Sequence, residues 1–217
     1  MSHFVVYVFG DKDGFDIEEL LEPYYEGKDM DKYIEYTKEQ AIAYTRKEIE
    51  DYKNGSIYQS YISDPEKYKA EHSDYPGHIN YLENVFPEKL KWNDEECYND
   101  IAGRYDEDMI DEDGNLYSTY NPESKWDWYE IGGRWDGGLV TKTRKEVNEA
   151  HVADIDWDKT EIPFAFVTPD GEWHERGQMG WCGIVSNAQE TDNWEKEFKE
   201  ALENYADCDV VLVDCHI

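Results

Sequence analysis

The sequence predicts an α+β fold in a single domain, residues 1–217, on three observations. Short apolar runs stand near both ends, HFVVYVF at His3–Phe9 and DVVLVDCHI at Asp209–Ile217, each the length of a buried strand. Trp194, Phe198, Leu202 and Tyr205 recur at helical spacing just before the last run. Between about 56 and 105 the chain reads as a succession of short helices. The expected architecture is a mostly antiparallel sheet that contains both terminal strands. The mid-chain helices form an insertion, and the amphipathic C-terminal helix packs on the sheet.

The elements have local reasons. After the first strand, Gly10–Gly14 (GDKDG) is a turn, and residues 15–21 form a short helix that stops near Pro23. Tyr33–Tyr36 reads as a brief strand. Thr37 and Gln40 form a capping box for a helix carrying Ile42, Thr45, Ile49 and Tyr52, which closes at Asn54-Gly55. Ser63-Asp-Pro-Glu66 opens a helix to about Glu71. His78–Phe86 reads as helix ended by Pro87, and Asn93 with Glu96 opens one more, to about Tyr105. Tyr58, Tyr61, Tyr68, Tyr75 and Tyr81 are expected as half-buried packing residues. Leu116–Tyr120 and Leu139–Thr143 read as strands, and Glu146–Val152 as a short helix. Ile162–Thr168 and Glu172–Glu175 read as a hairpin about Pro169-Asp-Gly171. Gly177–Val185 is a glycine-dotted strand that approaches another backbone closely. Ser186, Thr191 or Asp192 caps the C-terminal helix. The last strand is expected to be central, because its Val-Val-Leu-Val run is continuously apolar.

With 52 acidic against 21 basic residues the formal net charge is −31, yet aromatic residues make up 15% of the chain. Disordered acidic chains lack aromatics, so a folded domain with a strongly negative surface is expected. Such a surface repels nucleic acid and anionic membrane and attracts basic partners. No apolar run approaches the roughly 18 residues of a membrane span, and no signal-peptide pattern precedes Phe4. Cys97, Cys182, Cys208 and Cys215 are widely spaced without a CxxC pair, as expected of free thiols in a reducing cytoplasm.

The stretch Asn121–Gly138, NPESKWDWYEIGGRWDGG, is an aromatic island in this acidic chain and its expected centre. Alternation from Lys125 to Ile131 suits a strand, with Trp126, Trp128 and Glu130 on one face and Asp127, Tyr129 and Ile131 on the other. Gly132-Gly133 permits a left-handed or close-approach backbone. Arg134 can stack on the indoles, pair with Asp127 or Asp136, or clamp an anion. Trp126 or Trp128, and also Trp135, are expected to be largely buried. Trp126, Asp127, Trp128, Tyr129, Arg134, Trp135 and Trp181 are the candidate ligand- or partner-binding residues.

Other chemistry is sparse. Asp214, Cys215 and His216 are consecutive, but neighbours on a strand face opposite ways, so only Asp214 and His216 share a face. They are weak metal candidates. Further ligands would have to come from His3, His151 or His174, and no HxH, HExxH or CxxC spacing supports a site. The two Asp-rich loops fail the calcium-loop register, and GxSxG, P-loop and GxGxxG patterns are absent. No catalytic residue and no cofactor is assigned.

HFVVYVFGD near the start, YNPESKWDWYEIGGRW in the middle, ERGQMGWCGIV later and VLVDCHI at the end together resemble a family of small acidic proteins from tailed bacteriophages. The resemblance runs the length of the chain. It implies a phage origin and the host cytoplasm, and carries over no catalytic residue. The leading expectation is an accessory protein that binds and inhibits or redirects a host nucleic-acid-handling or defence protein through a basic surface on that partner. Direct binding to nucleic acid or membrane is not expected. A small nucleotide ligand held by the Trp/Arg stretch is the alternative, and a metal-dependent hydrolase using Asp214 and His216 the third reading.

Overall fold

A computed structural model describes residues 2–180 and 183–217 of the chain. The fold is α+β and falls into two compact units, Met1–Met30 with Tyr120–Ile217, and Asp31–Thr119.

The first unit is built on the expected sheet. His3–Gly10 and Asp209–His216 pair antiparallel along their whole length, from His3 opposite His216 to Gly10 opposite Asp209. Ala165–Val167 runs parallel on the other side of the first strand and continues antiparallel into Trp173–Glu175. The outer side of the last strand is shared. Trp128–Ile131 pairs with Val213–His216, and Glu149–His151 pairs with Asp209–Val211. The last strand is therefore interior, as its apolar run predicts.

Both faces of the central pair are covered. On one, Val5, Tyr7, Phe9, Val210 and Leu212 pack against Trp194, Phe198 and Ala201 of the helix Thr191–Asn204. On the other, Phe4, Val6, Val8, Val211, Val213 and Cys215 pack with Leu21 and Trp126. Alternation along the two strands divides the side chains between these layers.

The second unit, Asp31–Thr119, contains the helical stretch together with the short ladder Tyr33–Tyr36 with Leu116–Ser118. Its two longest helices, Lys38–Asn54 and Asp94–Ala102, both open on complete capping boxes, Thr37 with Gln40 and Asn93 with Glu96. Thr45 Oγ1 lies buried between them and donates to the Cys97 carbonyl at 2.9 Å. Tyr52, Tyr58 and Tyr81 gather around Phe86, while Tyr75 is exposed.

Several local expectations are overturned. Glu146–Val152 is not helical: Glu146–Val147 pairs with Leu139–Val140, and Glu149–His151 joins the main sheet. A seven-residue uncapped helix gains less than two ladders anchored by tertiary packing. Leu139–Val140 accordingly forms its own two-stranded ladder and does not continue the main sheet. Pro87 does not end a helix. It lies in the first turn of Phe86–Lys89, where a missing N–H is harmless, and the π turn Tyr81–Val85 precedes it. The C-terminal helix starts at Thr191, with Glu190 at its N-cap and no side-chain cap bond.

Burial sets two titration properties. The Cys215 thiol is pushed well above its ordinary 9.0, chiefly by burial and then by the Asp214 charge. The Tyr7 hydroxyl is pushed above its ordinary 10.0, again by burial first and the Glu161 charge second. Both groups fold neutral and keep protons that the unfolded chain releases. Their contribution to stability is complete below pH 9 and is lost as pH rises past 9 to 10. Urea midpoints should be level from neutrality to about pH 8.5 and fall above about pH 9, in the range where the unfolded groups ionise. At pH 8 iodoacetamide should alkylate the partly exposed Cys208 well before Cys215, read by peptide mass mapping. Equal rates would show that the sheet interior is open to reagent.

Candidate functional site

The Trp-rich stretch is divided between the two faces of the sheet. Lys125 and Trp126 donate backbone N–H bonds to the Tyr24 carbonyl at 2.8 and 3.3 Å, so the chain is held off the sheet there and the strand begins only at Trp128. Trp126 is 7% exposed; its Nε1 donates to the Leu21 carbonyl at 3.1 Å, and its ring meets Tyr129 edge-on. Trp126 and Tyr129 thus belong to the layer of Phe4 and Val213. Trp128 stands on the opposite layer and is 43% exposed, and Trp135 is half-buried against the core there. The expectation that Trp126 and Trp128 share a face is corrected. Burial holds for Trp126 and not for Trp128, and Trp135 is only partly covered. Trp181 lies outside the described residues, as does Cys182.

Around Trp128 the sheet assembles four ionisable side chains. Register places His3 directly opposite His216 and Trp128 opposite His216 on the other side. The indole stacks on the His216 ring at 5.2 Å, and the two imidazoles meet edge-on with centroids 4.8 Å apart. His3 Nδ1 lies 2.9 Å from Asp214 Oδ1, and His216 Nδ1 lies 2.5 Å from Asp127 Oδ1. A carboxylate only accepts, so each Nδ1 carries the proton and each Nε2 is left available. Asp214 is 1% exposed, and its second oxygen accepts the Arg134 backbone N–H at 2.9 Å. His216 is 3% exposed, and its Nε2 is buried without a hydrogen-bond partner among the described residues.

The Gly-Gly pair makes this closure possible. Gly133 has φ 49°, and a Cβ there would stand 2.5 Å from both Cβ and Oδ2 of Asp214. Only a residue without a side chain brings the Arg134 N–H onto the buried carboxylate. Lys125 is fixed on the opposite layer. It pairs with Glu175 at 2.8 Å, and Glu175 also accepts from Trp173 Nε1.

Electrostatically, the distribution of arginines is uneven. Arg46 and Arg104 are ion-paired with Asp94 and Asp100. Among the described residues Arg134, Arg144 and Arg176 carry no ion pair, so Arg134 pairs with neither Asp127 nor Asp136. Arg134 docks its backbone on Asp214, and Arg176 lines a cavity of about 210 Å³ together with His3, Trp135 and Glu161. A larger cavity of about 430 Å³ in the other unit is lined by Tyr52, Tyr81, Phe86, Lys89 and Arg104. Both of its cations are engaged by Asp100, at 3.0 and 3.1 Å, so it offers less free positive charge.

No group of three His, Cys, Asp or Glu side chains among the described residues is arranged to hold a metal ion. Asp214 and His216 share a face as expected, but each is turned to a separate partner. His151 pairs with Asp209 and His174 with Glu197, away from this cluster. His3 acquires weight only from the register of two distant strands, and Arg176 and Glu161 carry no motif that would mark them.

Gly133→Ala should lose about 2 kcal/mol or more in urea melts, from left-handed backbone strain and overpacking against Asp214. Trp126→Ala should lose about 3–5 kcal/mol and Trp128→Ala about 1 kcal/mol, since one ring is core and the other a half-exposed stack. Equal losses at Trp126 and Trp128 would contradict the division of the stretch.

Compared with protein-family models, curated proteins and solved structures, the chain matches none.

Proposed function

We propose that this chain binds a small phosphate-bearing ligand of nucleotide class at the histidine end of its sheet. The observation that carries the reading is the placement of Arg134 and Arg176. Among the described residues neither arginine carries an ion pair; Arg134 docks its backbone N–H on Asp214, and Arg176 lines the cavity beside His3. A guanidinium left unpaired retains its fork of donors for a phosphate. Trp128 offers a half-exposed indole face for a base, and the cavity beside His3 has the size for a phosphate group. Calorimetric titration with ADP should give saturable binding to the wild type. Arg134→Lys should weaken it tenfold or more, about 1.4 kcal/mol, because a point charge does not replace a bidentate group. Absence of binding by ADP, GDP and inorganic phosphate to the folded chain would end this reading.

A second reading is supported by the net charge of −31 and by the resemblance to tailed-phage proteins. In it the acidic surface engages a basic surface of a host nucleic-acid-handling or defence protein, within the host cytoplasm. No helix among the described residues is long and apolar enough to cross a membrane. Affinity is then spread over many carboxylates, so Glu200→Gln alone should change it little, by roughly 0–1 kcal/mol. Raising salt from about 50 to 200 mM should weaken capture of the partner strongly, since the screening length falls. Salt-independent capture would count against a charge-mediated interface.

A further inference from the structure

We infer that the cavity of about 430 Å³ in the second unit binds a small organic monocation, an alkylammonium with an apolar body. The site lies within Asp31–Thr119 and does not rest on the phosphate reading above. Its volume falls in the range of small-ligand pockets. Glu48, Ile49, Asp51 and Tyr52 of the helix Lys38–Asn54 contribute one part of the lining. Residues three and four apart share a helix face, which is why one helix supplies both Glu48 with Asp51 and Glu48 with Tyr52. Two further rings come from the π turn Tyr81–Val85 and from the helix that begins at Phe86. The Tyr52 ring touches both, with centroids 5.5 Å from Tyr81 and 4.6 Å from Phe86. A π turn within a helical run is a frequent mark of a functional site.

Charge on the lining decides the class of ligand. The two cations of the cavity are held by their own chain. Lys89 Nζ lies 3.0 Å from Asp100 Oδ1 and 4.5 Å from the centre of the Trp92 ring. Arg104 donates to the Asp100 carbonyl at 3.2 Å and to Asp100 Oδ2 at 3.1 Å. Glu48 and Asp51 carry no ion pair among the described residues, and the Tyr44 hydroxyl that meets Glu48 does not neutralise it. Asp51 also stands in the last turn of its helix, where the terminal carbonyls add negative potential. With 52 acidic against 21 basic residues, a carboxylate without a cation is ordinary in this chain. These two are distinguished by lining an aromatic cavity whose own cations are already neutralised.

The lining selects for one positive charge. An ammonium beside Glu48 and Asp51 is attracted by both carboxylates and by the neighbouring aromatic rings. Its apolar body covers Ile49 and Phe86 and removes their surface from water. A second ammonium on the same molecule would meet Lys89 and Arg104. A carboxylate in place of the ammonium would meet Glu48 and Asp51.

The test titrates the full chain, by ligand-observed NMR, with hexylammonium, hexamethylenediammonium and hexanoate, which share one chain length. Hexylammonium should bind saturably, the diammonium more weakly, and hexanoate not at all. Asp51→Asn should weaken hexylammonium about fivefold and Tyr52→Leu about tenfold, while Tyr52→Phe keeps the ring and binds as the wild type does. Glu200→Gln removes an equal charge outside the cavity and should leave the affinity unchanged. Near-ultraviolet circular dichroism checks that each variant is folded. No saturable binding of hexylammonium by the folded wild type, equal binding of hexanoate, tighter binding of the diammonium, or equal affinity of wild type and Asp51→Asn would overturn the site. Equal weakening by Asp51→Asn and Glu200→Gln would overturn it as well, since it would reduce the binding to diffuse attraction by an acidic surface.

Discussion

The ladder between His3–Gly10 and Asp209–His216 is the constraint on which the first unit depends. Every other strand of the main sheet pairs with one of these two or extends from them. Their side chains supply both apolar layers, one closed by the C-terminal helix and the other by Leu21 and Trp126. The pairing joins segments far apart in sequence. Closing a long loop costs only slightly more than closing a shorter one, but the pairing must precede the burial it rewards. The apolar layers therefore depend on a register that no local element can set alone.

The same register creates the polar end of the sheet. Beyond Val5 and Leu212 the layer that holds the C-terminal helix continues as His3, Asp214 and His216. A buried carboxylate is tolerated only when its oxygens are satisfied. Asp214 meets that condition through the His3 ring and the Arg134 backbone, and the left-handed Gly133 allows the second contact. The Gly-Gly step, the terminal histidine and the penultimate strand residues are thus one arrangement. His216 departs from it, because one ring nitrogen is buried and unpaired among the described residues. That exception separates this cluster from the other histidine–carboxylate contacts, at His151 and His174, which are partly exposed.

Charge is informative here through its exceptions as well as its total. Among the described residues Lys125, Lys89, Arg46 and Arg104 are ion-paired, whereas Lys12, Lys38, Lys47 and Arg144 are not. Arg134 and Arg176 are not, although Asp127, Asp136 and Glu161 lie close by in sequence or cavity. Exposed ion pairs contribute weakly, so leaving these two arginines unpaired costs the fold little.

The sequence by itself determined the elements whose causes are local. The continuous apolar runs mark the two central strands. Thr37 with Gln40 and Asn93 with Glu96 mark helix starts, and the spacing of Trp194 and Phe198 marks the face of the last helix. It also showed that Asp214 and His216 share a face, which follows from strand alternation. Tertiary structure decided the rest. Helical spacing at Glu146–Val152 yielded to two ladders, and Trp126 parted from Trp128 because Tyr24 holds the preceding backbone off the sheet. His3 met His216, and Arg176 met His3, only through the pairing of distant strands. Local patterning encodes period and face, whereas register and juxtaposition belong to segments that meet only when the chain has folded.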